Sequence, residues 1–97
     1  MIPVSVVIIT KDEEKNIGKA LESVRDFEDI VVLDAFSKDD TVEICRKYTD
    51  RVFQQEWLGY AKQKQMAVNL AENQWVLILD ADERVTPGLK VEIREKL

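Results

Sequence analysis

The sequence predicts an α/β fold, a parallel sheet of about four strands with helices on both faces. Three observations predict it. Short β-branched apolar runs alternate with segments in which apolar residues recur at helical spacing. The strongest run, Trp75–Leu79, is apolar at every position, as in a central parallel strand covered on both sides. The length of 97 residues suits one small domain or part of a larger one.

The elements follow in order. Val4–Thr10 (VSVVIIT) is a buried first strand. Asp12 is placed to cap a helix, with Glu13 and Glu14 in its first turn and Ile17, Ala20, Leu21 and Val24 along one face. Asp29 leads into a second strand, Ile30–Leu33, which ends at Asp34. The polar turn Ser37–Thr41 opens a helix with Val42, Cys45 and Tyr48 or Thr49 inward. Arg51–Gln55 is a weaker third strand. Gly59 opens a helix whose Met66, Ala67, Leu70 and Ala71 face the core. The fourth strand, Trp75–Leu79, runs into Asp80-Ala81-Asp82. Thr86-Pro87 starts a last helix, with Leu89, Ile93 and Leu97 on one face. That helix reaches the final residue without a capping signal, which reads as a truncated chain with residues 1–97 forming a single unit.

Composition excludes several classes of function. The net charge of −5 and the lack of a basic block argue against nucleic-acid binding. With no histidine, His-based triads and His metal sites are absent. The single cysteine, Cys45, permits no internal disulfide and fits a core position in a reducing compartment. No apolar run approaches the ~18 residues of a membrane-spanning helix. The first ten residues read as a strand rather than a signal peptide.

Polar residues fall at the strand ends. In a parallel sheet, Thr10, Asp34 and Asp80 converge on one edge, with Asp82 just beyond, and open α/β sheets bind ligands there. Two acids as close as Asp80 and Asp82 repel unless a cation sits between them, and a divalent ion bound to phosphate oxygens serves that purpose. The competing reading is that they merely end a strand and cap a turn. A nucleotide fits the constellation, with carboxylates accepting from base or ribose donors and Asp82 holding the metal. Neither GxGxxG nor GxxxxGK[ST] occurs, so phosphate charge falls to the metal and lysines.

Four stretches, SVVIITKDEEKNIGKALESV, IVVLDAFSKDDTVEI, GYAKQKQMAV and WVLILDADERVTPGL, span nearly the whole chain. In that order and spacing they resemble the N-terminal, nucleotide-binding half of a family 2 glycosyltransferase. The resemblance implies a partial Rossmann-like GT-A fold. LDADERVTP after a Gly-Tyr-Ala-Lys-Gln-Lys helix is similar to the bacterial enzymes that add sugars to the lipopolysaccharide core. By this resemblance Thr10 lines a uracil pocket, Asp34 contacts the base, Asp80 lies near the ribose and Asp82 binds Mn²⁺ or Mg²⁺. Lys64 stands where many members carry a nucleotide-proximal arginine, and Lys62 is a weaker candidate for the diphosphate. Each lysine also fits a solvated helix face. Asp34 also fits a turn cap, and Asp39 and Thr41 match family positions but suit capping the second helix. Trp57 can stack on a base or sugar, though an aromatic before a helix more often packs; Trp75 is expected to be structural.

The implied activity is sugar transfer from a nucleotide-sugar donor, with UDP favoured, to a saccharide or lipid-linked acceptor such as the lipopolysaccharide core. The implied compartment is the cytoplasm, with peripheral placement at the inner membrane face as an option. No catalytic residue is expected here, because in inverting members the general base and acceptor pocket lie beyond this half. The chain alone is expected to bind nucleotide without efficient turnover. An uncovered edge invites self-association, and a homodimer is compatible with it. Two departures touch the pocket rim. Ala35 and Asp40 replace a serine and a glycine, and Lys11-Asp12 replace an aromatic-Asn pair. A glycine-demanding positive φ would strain Asp40. Other classes remain: a non-catalytic folded remnant or interaction module, a receiver-like nucleotide module, and a nucleotidyltransferase. Gln54-Gln55 where a receiver needs an aspartate counts against the second, and the missing glycine loop after the first strand against the third.

Overall fold

The computed structural model describes residues 1–97. Its elements are β1 (Ile2–Thr10), α1 (Ile17–Glu22), β2 (Phe27–Asp34), α2 (Thr41–Cys45), β3 (Val52–Gln54), α3 (Tyr60–Asn69), β4 (Val76–Ile78) and α4 (Pro87–Lys96). The predicted alternation is present, and the four strands form one all-parallel sheet in the order β3-β2-β1-β4.

Two-residue periodicity divides the sheet between two cores. Ile2, Val4, Val6 and Ile8 of β1 join Ile30 and Val32 of β2 beneath Ile17, Ala20 and Leu21 of α1 and Cys45 of α2. On the opposite face, Val7, Val31 and Leu33 pack on Ala67 of α3. Helices therefore cover both faces. Burial raises the Cys45 thiol, with Asp34 adding to the effect, to about 12, so it behaves as an apolar core atom.

The strand expected to be central is not. β4 pairs only with β1 and forms an edge, so Trp75 and Ile78 are exposed. An all-apolar run is ambiguous here, because it shows that a strand can be buried on both faces but not what lies beside it. Helix α1 begins later than expected. Its N-cap is Asn16, whereas Asp12 sits in a turn at φ 53 and its carboxylate accepts from the Lys38 amide at 2.7 Å. Asp12 thus joins the loops after β1 and β2 instead of starting a helix. On α3, Ala67 is buried but Met66 is exposed, and the fully buried polar residue is Gln63. Asp40 has φ −84, so the missing glycine causes no strain there; positive φ falls at Asp12 and Phe36 instead. The second helix is served by Asp39, whose carboxylate accepts from the Thr41 amide at 3.0 Å, while the Thr41 hydroxyl accepts from the Glu13 amide at 2.8 Å. Thr86 caps α4 as predicted, its hydroxyl accepting from the Leu89 amide at 3.1 Å with Pro87 following.

A closed polar network ties down the amino-terminal end of the sheet. The Asp29 carboxylate accepts from the Ser5 hydroxyl at 2.6 Å, the Glu72 amide at 3.0 Å and Arg51 Nε at 2.9 Å. Ser5 in turn accepts from the Asn73 amide at 3.0 Å. Burial opposes ionisation of Asp29, but these donors outweigh it and hold the carboxyl below the usual range. The network fixes the α3–β4 turn, and with it the position of the edge strand.

Candidate functional site

At the opposite end of the sheet, β1 and β2 run in register to Thr10 beside Asp34, and Gln54 of β3 lies beside Asp34. β4 stops short of this edge, and Asp80-Ala81-Asp82 continue from it. An open cavity of about 310 Å³ lies here. Thr10, Lys11 and Glu13 line it from the β1 side, Trp57 and Tyr60 from the approach to α3, and Asp80 and Asp82 from the end of β4.

Three predicted site residues therefore meet in one cavity. Thr10 is buried, yet its hydroxyl has no hydrogen-bond partner. A buried hydroxyl without a partner costs on the order of 1–3 kcal/mol unless something supplies one. The turn after β4 is closed by Glu83, whose carboxylate accepts from the Asp80 amide at 3.1 Å while its own amide donates to the Asp80 carbonyl at 2.9 Å. Glu83 does the capping that the competing reading gave to the two aspartates. The Asp80 and Asp82 carboxylates enter none of the chain's hydrogen bonds or ion pairs, and both residues are exposed.

Asp34 and Lys64 are placed differently. Asp34 is fully buried, and its carboxylate accepts from the Ser37 amide at 2.8 Å, the Ser37 hydroxyl and Gln54 Nε2 at 3.3 Å. It holds the turn after β2 and lies outside the cavity lining. Lys64 Nζ stands 5.1 Å from the centre of the Tyr60 ring, a cation–π contact just behind the cavity wall. Lys62 is exposed.

Nowhere in the chain do three His, Cys, Asp or Glu side chains converge to cage a metal. Asp80 and Asp82 fit the other way of holding a hard divalent cation, in which one or two carboxylates share it with substrate phosphates and water.

Comparison with known proteins decides the family. The family model of Glycosyl transferase family 2 matches residues 5–95. The chain belongs to this family. An uncharacterised glycosyltransferase of Rickettsia typhi is 43% identical over 94 residues, covering 96% of this chain and 32% of the relative. The lipopolysaccharide core biosynthesis glycosyltransferase LpsC of Rhizobium meliloti is 36% identical over 101 residues, covering 99% and 37%. The chain thus spans about a third of the length of these relatives. Among solved structures, TarS of S. aureus superposes with a TM-score of 0.82 at 29% identity, over 97% of this chain and 32% of that one. Its complex with UDP-GlcNAc superposes at 0.78 with 26% identity, over 97% and 30%. The GT-A fold class follows from these matches. No helix of the chain is long and apolar enough to cross a membrane.

Sequence reasoning missed two features of this end of the molecule, Tyr60 and Gln63, and favoured packing over stacking for a third, Trp57. Trp57 is half exposed and lines the cavity instead of packing beneath it. Tyr60 was read only as part of a helix. Gln63 is fully buried below them; its position four residues before the buried Ala67 was the available signal.

Proposed function

We propose that this chain is the donor-binding part of a glycosyltransferase that moves a sugar from a UDP-linked donor to a saccharide acceptor. The observation that carries the reading is the unsatisfied set at the carboxyl ends of β1 and β4: an unpartnered Thr10 hydroxyl and the free Asp80 and Asp82 carboxylates in one cavity. Thr10 would bond the nucleoside and Asp80 would accept from ribose hydroxyls. Asp82, with Asp80 beside it, would hold Mn²⁺ or Mg²⁺, whose positive charge stabilises the diphosphate leaving group. Asp34 and Lys64 would add a contact to the base and a positive charge near the nucleotide from the β2 and α3 sides.

The general base that deprotonates the acceptor and the acceptor pocket itself belong, in this proposal, to the remainder of a longer protein. Similarity to LpsC supports a lipopolysaccharide-core acceptor. The test is calorimetric titration of UDP into the chain, with Mn²⁺ and with chelator, alongside Asp82→Ala. Metal-dependent binding that the variant loses is the expected result. Absence of UDP binding in both conditions would leave a folded remnant as the better description.

A further inference from the structure

Resting on that reading, we infer that Trp57, held in a T-shaped contact with Tyr60, is the stacking surface for the nucleobase of the bound nucleoside diphosphate. Both rings line the cavity that holds Thr10, Asp80 and Asp82, and both are partly open to solvent, at 49% for Trp57 and 63% for Tyr60. Together the two rings give the cavity a contiguous aromatic wall opposite its acids. The ring centres lie 5.3 Å apart at an interplanar angle of 87°, so the edge of one ring meets the face of the other and a flat face stays free.

The surface is held in place from below. The buried Gln63 amide spends both ends on the loop that carries Trp57: its oxygen accepts from the Leu58 amide at 3.1 Å and its nitrogen donates to the Gln55 carbonyl at 3.2 Å. Gly59 then turns the chain into α3 at φ 96 and ψ 158, a region open essentially to glycine alone. These contacts fix the course of the loop that carries Trp57. Gln63 is therefore a positioning residue, and Lys64, packed on the Tyr60 ring, supports the same wall. The ligand chemistry follows from the two sides of the cavity. The acids accept from hydroxyls or hold a cation on one side, and a planar π-system meets the ring face on the other.

Trp57 and Trp75 are the chain's two tryptophans, and Trp75 lies by the other crevice, against β4 and α4. Trp75→Phe therefore isolates Trp57 as the fluorescent reporter. In that background, UDP with Mn²⁺ should quench the emission. Trp57→Ala should weaken UDP binding, measured by calorimetry, about tenfold or more, with Trp57→Phe losing less. Mn²⁺-pyrophosphate, which has no base, should bind both variants as it binds the parent. If the parent binds UDP and Trp57→Ala binds it equally well, the inference fails and the donor-site reading survives. If Trp57→Ala weakens UDP-GlcNAc but not UDP, the ring serves the sugar and the inference also fails. If the parent binds no UDP, both fall together.

Discussion

At the amino-terminal end of the sheet, Ser5, Asp29 and Arg51 close on one another; at the carboxyl-terminal end, Thr10, Asp80 and Asp82 do not. The side-chain chemistry is much the same, with hydroxyls and carboxylates carried by neighbouring parallel strands. In the first region the Glu72 and Asn73 amides of the α3–β4 turn find side-chain acceptors in Asp29 and Ser5, and the result is a joint. The second region carries an orphan hydroxyl and two free carboxylates around an open cavity. The difference teaches that polar residues at strand ends are not by themselves a site. The mark of a site is that their hydrogen-bonding capacity is left over once the fold has taken what it needs.

The comparison can be broken at either end. The largest effect is expected at the closed one. Asp29→Ala removes the acceptor for Ser5, the Glu72 amide and Arg51, and should cost about 3 kcal/mol in denaturant unfolding; a loss below 1 kcal/mol would show that the network is not a joint. The same carboxylate sets an acid dependence. Its folded pKa is depressed, so its contribution is fully present above the unfolded value near 4 and is lost as pH falls through the lowered folded value. Urea titrations between pH 5 and 2 should show a shallower decline for Asp29→Asn than for the parent.

Changes at the open end should have smaller effects on stability, and one of them the opposite sign. Thr10→Val removes the orphan hydroxyl at constant shape, which should raise stability by about 1 kcal/mol and weaken UDP binding several-fold. A variant that is both less stable and unchanged in binding would mean that the hydroxyl serves the fold. Smallest of all, Asp80→Asn should leave the unfolding free energy within about 0.5 kcal/mol of the parent, since its carboxylate supports nothing in the chain. Thermal unfolding of the two proteins side by side checks this.

Much of this architecture is legible in the sequence. Strand–helix alternation follows from periodicity, and the meeting of Thr10 with Asp80 and Asp82 follows from parallel strands ending on one edge. Asp29 was legible as a strand boundary but not as a buried acceptor, because its partners come from three separate segments. Trp75 and Ile78 looked central because composition reports what a strand can bury, whereas exposure depends on which strand it pairs with. The positive φ of Phe36 had no local signal and that of Asp12 only the general tolerance of aspartate for it, since both turns are shaped by contacts between the two loops. Asp34 illustrates a further limit. Its position at a strand end was correctly read, while the donors its carboxylate accepts from, Ser37 and Gln54, come from a turn and a neighbouring strand that spacing does not show.

The turn at Gly59 has a consequence for the handedness of the chain. A β-carbon built there would meet nothing within 4 Å, so the demand for glycine at φ 96 is one of chirality alone, not of space. An L-residue is disfavoured only because its own backbone disallows that angle, whereas for a mirror-image residue the same angles are ordinary extended backbone. A chain of this length is within reach of peptide ligation. Gly59→Ala should therefore cost on the order of 1–3 kcal/mol through backbone strain alone, and D-alanine at the same position, which escapes that strain, should cost less, as unfolding of the two ligated chains would show.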